Sequence, residues 1–345
     1  MKLNKLGESE LRVSEICLGS MTWGEQNNER DAHLQLDFAL DHGINFIDTA
    51  EMYPVPPSAS TYARTETYMG PWVARQKRDQ LVLASKVAGP GRRDWVRGGR
   101  TELTRENIIG AVNDSLARLR TDYLDLYQIH WPGRNVPMFG VTRYDPEKET
   151  PVVPILEQIE TMAALIKAGK IRHYGLSNET TWGVCGFVRV ARAHGLPPPL
   201  TIQNAYSLVN RMFDGELAEA SFREQVPLLA YSPLAMGLLS GKFLAGAMPP
   251  RSRLGRYADF GERYKRELAR AAADEYCKLA QSRGLSPTQL ALAFVRTRWF
   301  VASTIVGATD LAQLKQNIDS VKVELDADTL AGIDAIHRRY PNPSA

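Results

Sequence analysis

Four side chains in this sequence have the chemistry of a proton-transfer site: Asp48, Tyr53, Lys86 and His130. Asp48 ends the apolar run Ile44-Asn45-Phe46-Ile47, and Tyr53 follows five positions later, just before Pro54. Lys86 closes Leu81-Val82-Leu83-Ala84-Ser85, and His130 closes Leu124-Asp125-Leu126-Tyr127-Gln128-Ile129. A charge at the end of a buried strand needs a counter-charge, and a buried tyrosine hydroxyl needs a hydrogen bond. The four could meet one another's needs. Asp48 would hold Lys86 by a charged hydrogen bond. Lys86 beside Tyr53 would favour phenolate and lower the tyrosine pKa from its reference of about 10. At about 4 Å and an effective dielectric of about 20, that attraction is roughly 4 kcal/mol before desolvation. His130 could hydrogen-bond a carbonyl oxygen and orient it. Such a set suits proton donation to an alkoxide as a carbonyl is reduced. Taken singly, each residue also has a plainer role. A strand-end Asp or Lys often caps a helix or snorkels to a rim, and a histidine before Trp131-Pro132 can simply pack in a loop.

Whether the four meet depends on the elements that carry them. Residues 2–14 read as a hairpin with a Gly7-Glu8-Ser9 turn. After it, short apolar strands alternate with helical patterns. The strand ends fall at residues 19, 48, 86, 130, 176, 204, 231 and 306. Helices are marked by Ala32, Leu36, Ala39 and Leu40, by Ile109, Val112, Leu116 and Leu119 behind Thr104, and by Ile155, Ile159, Met162 and Ile166. A helix over 65–75 contains the interrupting Pro71. Further helices are expected over 181–194, 215–225 and 264–282, and from the capping box Ser286-Pro287-Thr288-Gln289. Two additional helices, near 310–320 and 327–339, end the chain. Strands apolar on both faces suit a parallel sheet covered on both sides. Eight such units predict a (β/α)₈ TIM barrel preceded by a β-hairpin, with a doubly wound sheet as the competitor. No linker or shift in composition divides the chain, so residues 1–345 are expected to form one domain. In a barrel, active sites sit where strands end. Asp48, Lys86 and His130 would then be neighbours on one rim.

Composition narrows the class. The 345 residues are ordinary for a globular protein, and a net charge of +3 without a basic run argues against nucleic acid. Cys17, Cys185 and Cys277 are few and widely spaced, which predicts neither a disulfide framework nor a metal site. The first residues lack a signal-peptide core, and no apolar run is long enough to span a membrane, so a reduced, cytoplasmic protein is expected. A reduction needs hydride. There is no GxGxxG, because Gly89-Pro90-Gly91 lacks the third glycine. Gly237-Leu238-Leu239-Ser240-Gly241-Lys242 offers a glycine-rich loop and a cation after the seventh strand. Gly307-Ala308-Thr309-Asp310 opens a helix after the eighth, where backbone N–H groups could take a phosphate.

These stretches together resemble the aldo-keto reductases over essentially the whole chain. The resemblance is carried by Asn45 to Tyr53, Ala84-Ser85-Lys86, Leu124 to Trp131, Ile171 to Asn178, Tyr231-Ser232-Pro233-Leu234, Gly237 to Lys242 and Gly307 to Asn317. Within the family the chain looks most similar to the bacterial Tas-type reductases, with potassium-channel β-subunits more distant. The resemblance implies Asp48, Tyr53, Lys86 and His130 as a tetrad with Tyr53 as general acid. It implies NADPH/NADP+ as cofactor. Ser177, Asn178 and Gln203 would hold the nicotinamide carboxamide while Tyr231 stacks on the ring. Ser232, Leu234, Gly237, Leu239 and Lys242 would line the pyrophosphate loop. Arg253, Gly307, Thr309, Gln313, Gln316 and Asn317 would surround the adenosine end. Many members carry an arginine where this chain has Gln313. Trp23 and Trp131 would stand near the reacting carbonyl. Arg92, Arg93, Arg97 and Arg100 could favour an anionic substrate or form a solvated face, and residues 246–262 could cover the cofactor. The substrate would be a small carbonyl compound, with no membrane or nucleic-acid partner. Two other functions fit the same residues: an NADPH-binding regulatory module with incidental catalysis, and a cofactor-free barrel isomerase or lyase.

Overall fold

The computed structural model describes residues 1–91 and 94–345, without the side chain of Ala245. Two short strands, β1 (Leu3–Lys5) and β2 (Arg12–Ser14), pair antiparallel as the hairpin. Eight parallel strands then close a barrel: β3 (Ile16–Gly19), β4 (Phe46–Asp48), β5 (Val82–Val87), β6 (Leu124–Ile129), β7 (Ile171–Ser177), β8 (Ile202–Ala205), β9 (Leu228–Tyr231) and β10 (Val301–Val306). They follow one another around the barrel in chain order, and β10 closes it against β3. Closure excludes the doubly wound competitor. All eight strand ends lie within one residue of the positions read from the sequence, because each apolar run stops where its rim residue turns polar.

Helices wrap the barrel: α1 (Glu29–Asp41), α2 (Arg64–Val73), α3 (Arg105–Leu119), α4 (Ile155–Lys167), α5 (Thr181–Ala193), α6 (Glu216–Glu224), α7 (Arg253–Arg256), α8 (Glu267–Ser282), α9 (Pro287–Arg296), α10 (Leu311–Asp319) and α11 (Ala327–Arg339). Thr104 caps α3, and Ser286 with Gln289 forms the expected capping box on α9. The helix expected from 264 begins later, at Glu267, because residues 262–264 make a separate turn after Gly261. α7 is a short helix inside the stretch 246–262 that reads as irregular in sequence. No helix among the described residues is long and apolar enough to cross a membrane.

Two cores position the site. The larger one fills the space between strands and helices. The smaller lies at the barrel's lower end, where Leu6 and Val13 of the hairpin meet Cys17, Phe46, Leu126 and Leu229 from the barrel strands. The hairpin therefore plugs the lower end and leaves the upper rim to carry polar groups. Neighbouring registers fix that rim: Asp48 pairs with Ala84, and Lys86 with Gln128.

The α2–α3 contact tests how closely the outer layer is packed. A Cβ on Gly70 of α2 would collide with the Arg118 carbonyl oxygen, whereas one on Gly110 of α3 would meet nothing within 4 Å. Gly70→Ala is therefore expected to destabilise by at least about 1–3 kcal/mol in urea unfolding. Gly110→Ala should be neutral or stabilise by up to about 1 kcal/mol, since the helix gains alanine propensity without a clash.

Candidate active site

At the upper rim the four residues converge. Lys86 is fully buried and Asp48 is 2% exposed, in a part of the barrel that water does not reach freely. The Lys86 ammonium donates to Asp48 Oδ2 at 2.5 Å and to the Thr49 carbonyl at 2.8 Å, and reaches to 3.5 Å from the Tyr53 hydroxyl. His130 closes the group from β6: its ring centroid is 5.7 Å from that of Tyr53, edge to face. The geometry brings all four tetrad candidates together.

The electrostatics differ from the sequence expectation. Burial is the largest influence on Tyr53, and it outweighs the pull of Lys86, so the hydroxyl pKa is raised above 10, not lowered. Asp48 adds to the rise, and Arg253 opposes it. The expectation counts the charge partner and not the lost solvation of a phenolate. Lys86 behaves in the opposite sense. Burial works against its charge, but Asp48 and Tyr53 together raise its pKa above the ordinary value. The pair thus keeps a charged lysine beside a protonated phenol.

Asp48 is held from its other side by two amides, of which only Gln203 is among the sequence candidates. Gln203 Nε2 donates to Asp48 Oδ1 at 2.9 Å and to Gln128 Oε1 at 3.1 Å, and Gln128 Nε2 donates to the same Asp48 oxygen at 3.2 Å. Gln128 has no place among the sequence candidates. Its signal is a polar residue on an apolar strand in register with Lys86.

A cavity of about 1510 Å³ opens above this cluster. It exceeds the 300–1,000 Å³ usual for one small ligand, which leaves room for a dinucleotide and a substrate together. Ser177, Asn178, Gln203, Tyr231, Ser232, Leu234, Gly237, Lys242, Arg253, Gly307, Thr309, Gln313, Gln316 and Asn317 all line it. Their amides and hydroxyls are already joined. Asn178 donates to the His130 carbonyl at 2.9 Å and accepts from the Tyr231 hydroxyl at 2.7 Å, while Ser177 donates to the Gln203 carbonyl at 2.8 Å. Burial raises the Tyr231 pKa to about 12.

Two cations in the cavity wall are the clearest ligand signal. The Lys242 chain lies over Gly237, where an added Cβ would be 2.5 Å from Lys242 Cε. Burial, and then Arg253, lowers the Lys242 pKa, and burial lowers that of Arg253. Arg253 reaches the Met21 sulfur at 3.6 Å. Among the described residues neither cation has a carboxylate in ion-pair contact. Two neighbouring, mutually repelling cations in the cavity wall fit a bound anion such as a pyrophosphate. The Arg253 charge is also felt at Tyr53.

The structure corrects other expectations. Asp310 caps α10, accepting from Gln313 N at 2.8 Å, and its second oxygen accepts from the Gln313 amide at 2.6 Å. A carboxylate therefore already takes one backbone N–H of that helix start. Trp23 does not line the cavity. Its ring is fully buried in the main core and its Nε1 donates to Gln35 of α1 at 3.2 Å. Leu239 is buried in the same core and does not line the cavity. Trp131 does line it, with its ring 4.8 Å from that of His130. Arg97 points inward to Glu51, Arg100 is exposed near Glu106, and Arg92 and Arg93 lie outside the described residues. Neither Arg97 nor Arg100 therefore lines the cavity as part of an arginine face that would attract anions. Among the described residues, no group of His, Cys, Asp or Glu could hold a metal ion.

Comparison with known proteins places this geometry in context. The model of the Aldo/keto reductase family matches residues 15–338. The chain is 49% identical over 347 aligned positions to protein tas of Escherichia coli (strain K12), covering all of both chains. It is 38% identical to an aldo-keto reductase of Babesia bovis, covering 76% of this chain and 98% of that one. It is 32% identical to uncharacterized oxidoreductase YrpG of Bacillus subtilis (strain 168), covering 99% and 97%.

The buried pair makes a stability prediction. Lys86→Met leaves Asp48 buried without its counter-charge and should cost about 3–5 kcal/mol in urea unfolding, much of it recovered by adding Asp48→Asn. The Lys86 pKa is raised in the fold, so its contribution is complete below the unfolded lysine value of about 10.4 and is lost as pH rises through the folded value. The Lys86→Met penalty should therefore shrink as pH rises above about 10.

Proposed function

The chain belongs to the aldo/keto reductase family, and on that premise we propose that it reduces an aldehyde or ketone to an alcohol with NADPH as hydride donor. When bound, the nicotinamide supplies hydride from C4. Tyr53 is the general acid: its protonated hydroxyl, 3.5 Å from the Lys86 ammonium and with the His130 ring edge-on to its own, delivers the proton to the oxygen as it becomes an alkoxide. A raised pKa suits this role, because the proton is still in place across the neutral range. The phenolate left after transfer faces the Lys86 ammonium, which stabilises it where water cannot. Asp48 fixes that ammonium, and Gln128 and Gln203 fix Asp48. His130 orients the carbonyl. The observation that carries the reading is the Tyr53–Lys86–Asp48 contact beneath a cavity large enough for cofactor and substrate.

Lys242 and Arg253 would hold the pyrophosphate, with Ser177, Asn178 and Gln203 at the carboxamide and Tyr231 against the ring. Their present hydrogen bonds already orient these groups relative to one another. NADPH over NADH is favoured by Arg251 in the wall, a further cation for a 2′-phosphate, and by Thr309 near the helix start. The whole of residues 1–345 would act as one catalytic unit. Its three free cysteines suit a reducing compartment such as the cytoplasm.

NADPH oxidation against a panel of aldehydes, ketones and sugars, repeated with NADH, tests the reading. Tyr53→Phe should lower kcat by roughly 10²- to 10⁴-fold while NADPH binding, read by fluorescence quenching, changes little. Normal turnover by that variant would sink the mechanism. Tight NADPH binding without reduction of any carbonyl would point instead to a cofactor-binding regulatory module.

A further inference from the structure

One buried ion pair beside the tetrad has no part in the proton transfer described above. Glu51 stands two residues before Tyr53 and is fully buried, and the Arg97 side chain is 5% exposed. Arg97 belongs to the segment 94–102 after β5, in a left-handed conformation (φ +48°) continued by Gly98 and Gly99. That turn directs its guanidinium inward. Arg97 Nη1 donates to Glu51 Oε1, and Nη2 donates to the Ala88 carbonyl at 3.2 Å. Glu51 Oε1 also accepts from Ala88 N at 2.6 Å, and Glu51 N donates to the Lys86 carbonyl at 3.3 Å. The Tyr62 hydroxyl donates to Glu51 Oε2 at 3.4 Å. Around this polar knot Met52, Ala88, Val96 and Trp131 form their own apolar cluster.

The connectivity is specific. Through Glu51, the loop that carries Tyr53 is tied to the two residues flanking Val87, at the end of the strand that carries Lys86. Arg97 closes the tie from the outside by gripping both Glu51 and Ala88. The Tyr53–Lys86 distance already stands at the outer limit of a hydrogen bond. A displacement of about 1 Å at such a site can cost roughly 10²-fold in rate.

We propose that Arg97 and Glu51 are positioning residues: their buried pair clamps the Tyr53 loop to the end of β5 and so sets the distance between the acid and Lys86. The inference rests on Tyr53 being the proton donor. It also means that Arg97 is unavailable to a substrate carboxylate. Burial favours the neutral carboxyl of Glu51 and the Arg97 charge opposes this, consistent with a pair whose members need each other.

The test compares Arg97→Met, Arg97→Lys and the double variant Glu51→Gln/Arg97→Met with the wild type. Four quantities are measured: kcat, carbonyl KM, NADPH affinity by fluorescence quenching, and hydrogen–deuterium exchange over residues 49–57. Arg97→Met should lower kcat roughly 10- to 100-fold, keep NADPH affinity within about twofold, and speed exchange in 49–57. Arg97→Lys should recover part of kcat. The double variant leaves no unpaired buried charge, so it should fold and melt near the wild type yet keep the low kcat. Should Arg97→Met fail to fold, the double variant alone decides. Wild-type kcat in the double variant would overturn the proposal, leaving mere charge compensation. So would a change confined to KM for carboxylate-bearing aldehydes, which would make Arg97 a substrate ligand. If the wild type turns over no carbonyl, the reading of Tyr53 as acid fails separately. The clamp is then judged by exchange alone: faster exchange in 49–57 upholds it, and unchanged exchange overturns it.

Discussion

The structure depends on one interaction: the Lys86–Asp48 pair held inside the upper end of the barrel. A lysine there would ordinarily lose its proton or find water. It does neither, because Asp48 is 2.5 Å away and Asp48 itself is held by Gln128 and Gln203. Replacing such a pair with apolar residues often costs a fold nothing, so stability alone does not account for it. Its value is chemical. It sets a fixed positive charge beside a phenol in a place where water cannot screen it, which is the condition under which one charge acts strongly on one proton.

The barrel serves that interaction at every level. Parallel strands end together at one rim, so residues 38 and 33 positions apart from Lys86 meet it there. The N-terminal hairpin closes the opposite end, which leaves the polar groups facing the cavity. The loops after β4 and β5 then add what strand ends cannot supply: Tyr53 comes from the first, and the second returns Arg97 to grip Glu51 beside it. The loop after β9 brings Lys242 over Gly237 toward Arg253, so the same cavity also has a cationic stretch of wall.

Much of this is legible from residue types. Asp48, Lys86 and His130 are readable because a charged or imidazole side chain that ends an apolar run must find a partner or a ligand there. The strand ends are readable for the same reason. What cannot be read depends on distance in space and on solvation. The sequence makes Tyr53 look more acidic than it is, because its partner lysine is visible there and the loss of water around it is not. Trp23 reads as a pocket aromatic, but Gln35 of α1 gives its indole a buried partner. Arg97 reads as one solvent-facing arginine among others, and its carboxylate lies 46 residues earlier in the chain. Asp310 reads as the opening of a helix, and its side chain caps that helix.

Burial keeps Tyr53 protonated while Lys86 stands ready to stabilise its conjugate base, and the ionisation of that one hydroxyl can be followed directly. The measurement is a pH titration of ¹³Cζ-labelled tyrosine by NMR in the free protein, with the Tyr53 signal assigned by its absence in Tyr53→Phe. The phenol signal should persist beyond about pH 10, because the raised pKa keeps the hydroxyl neutral. Lys86→Met should move the titration higher still, since the lysine pulls it down. A Tyr53 signal that titrates near neutral pH would contradict a phenol held protonated by burial.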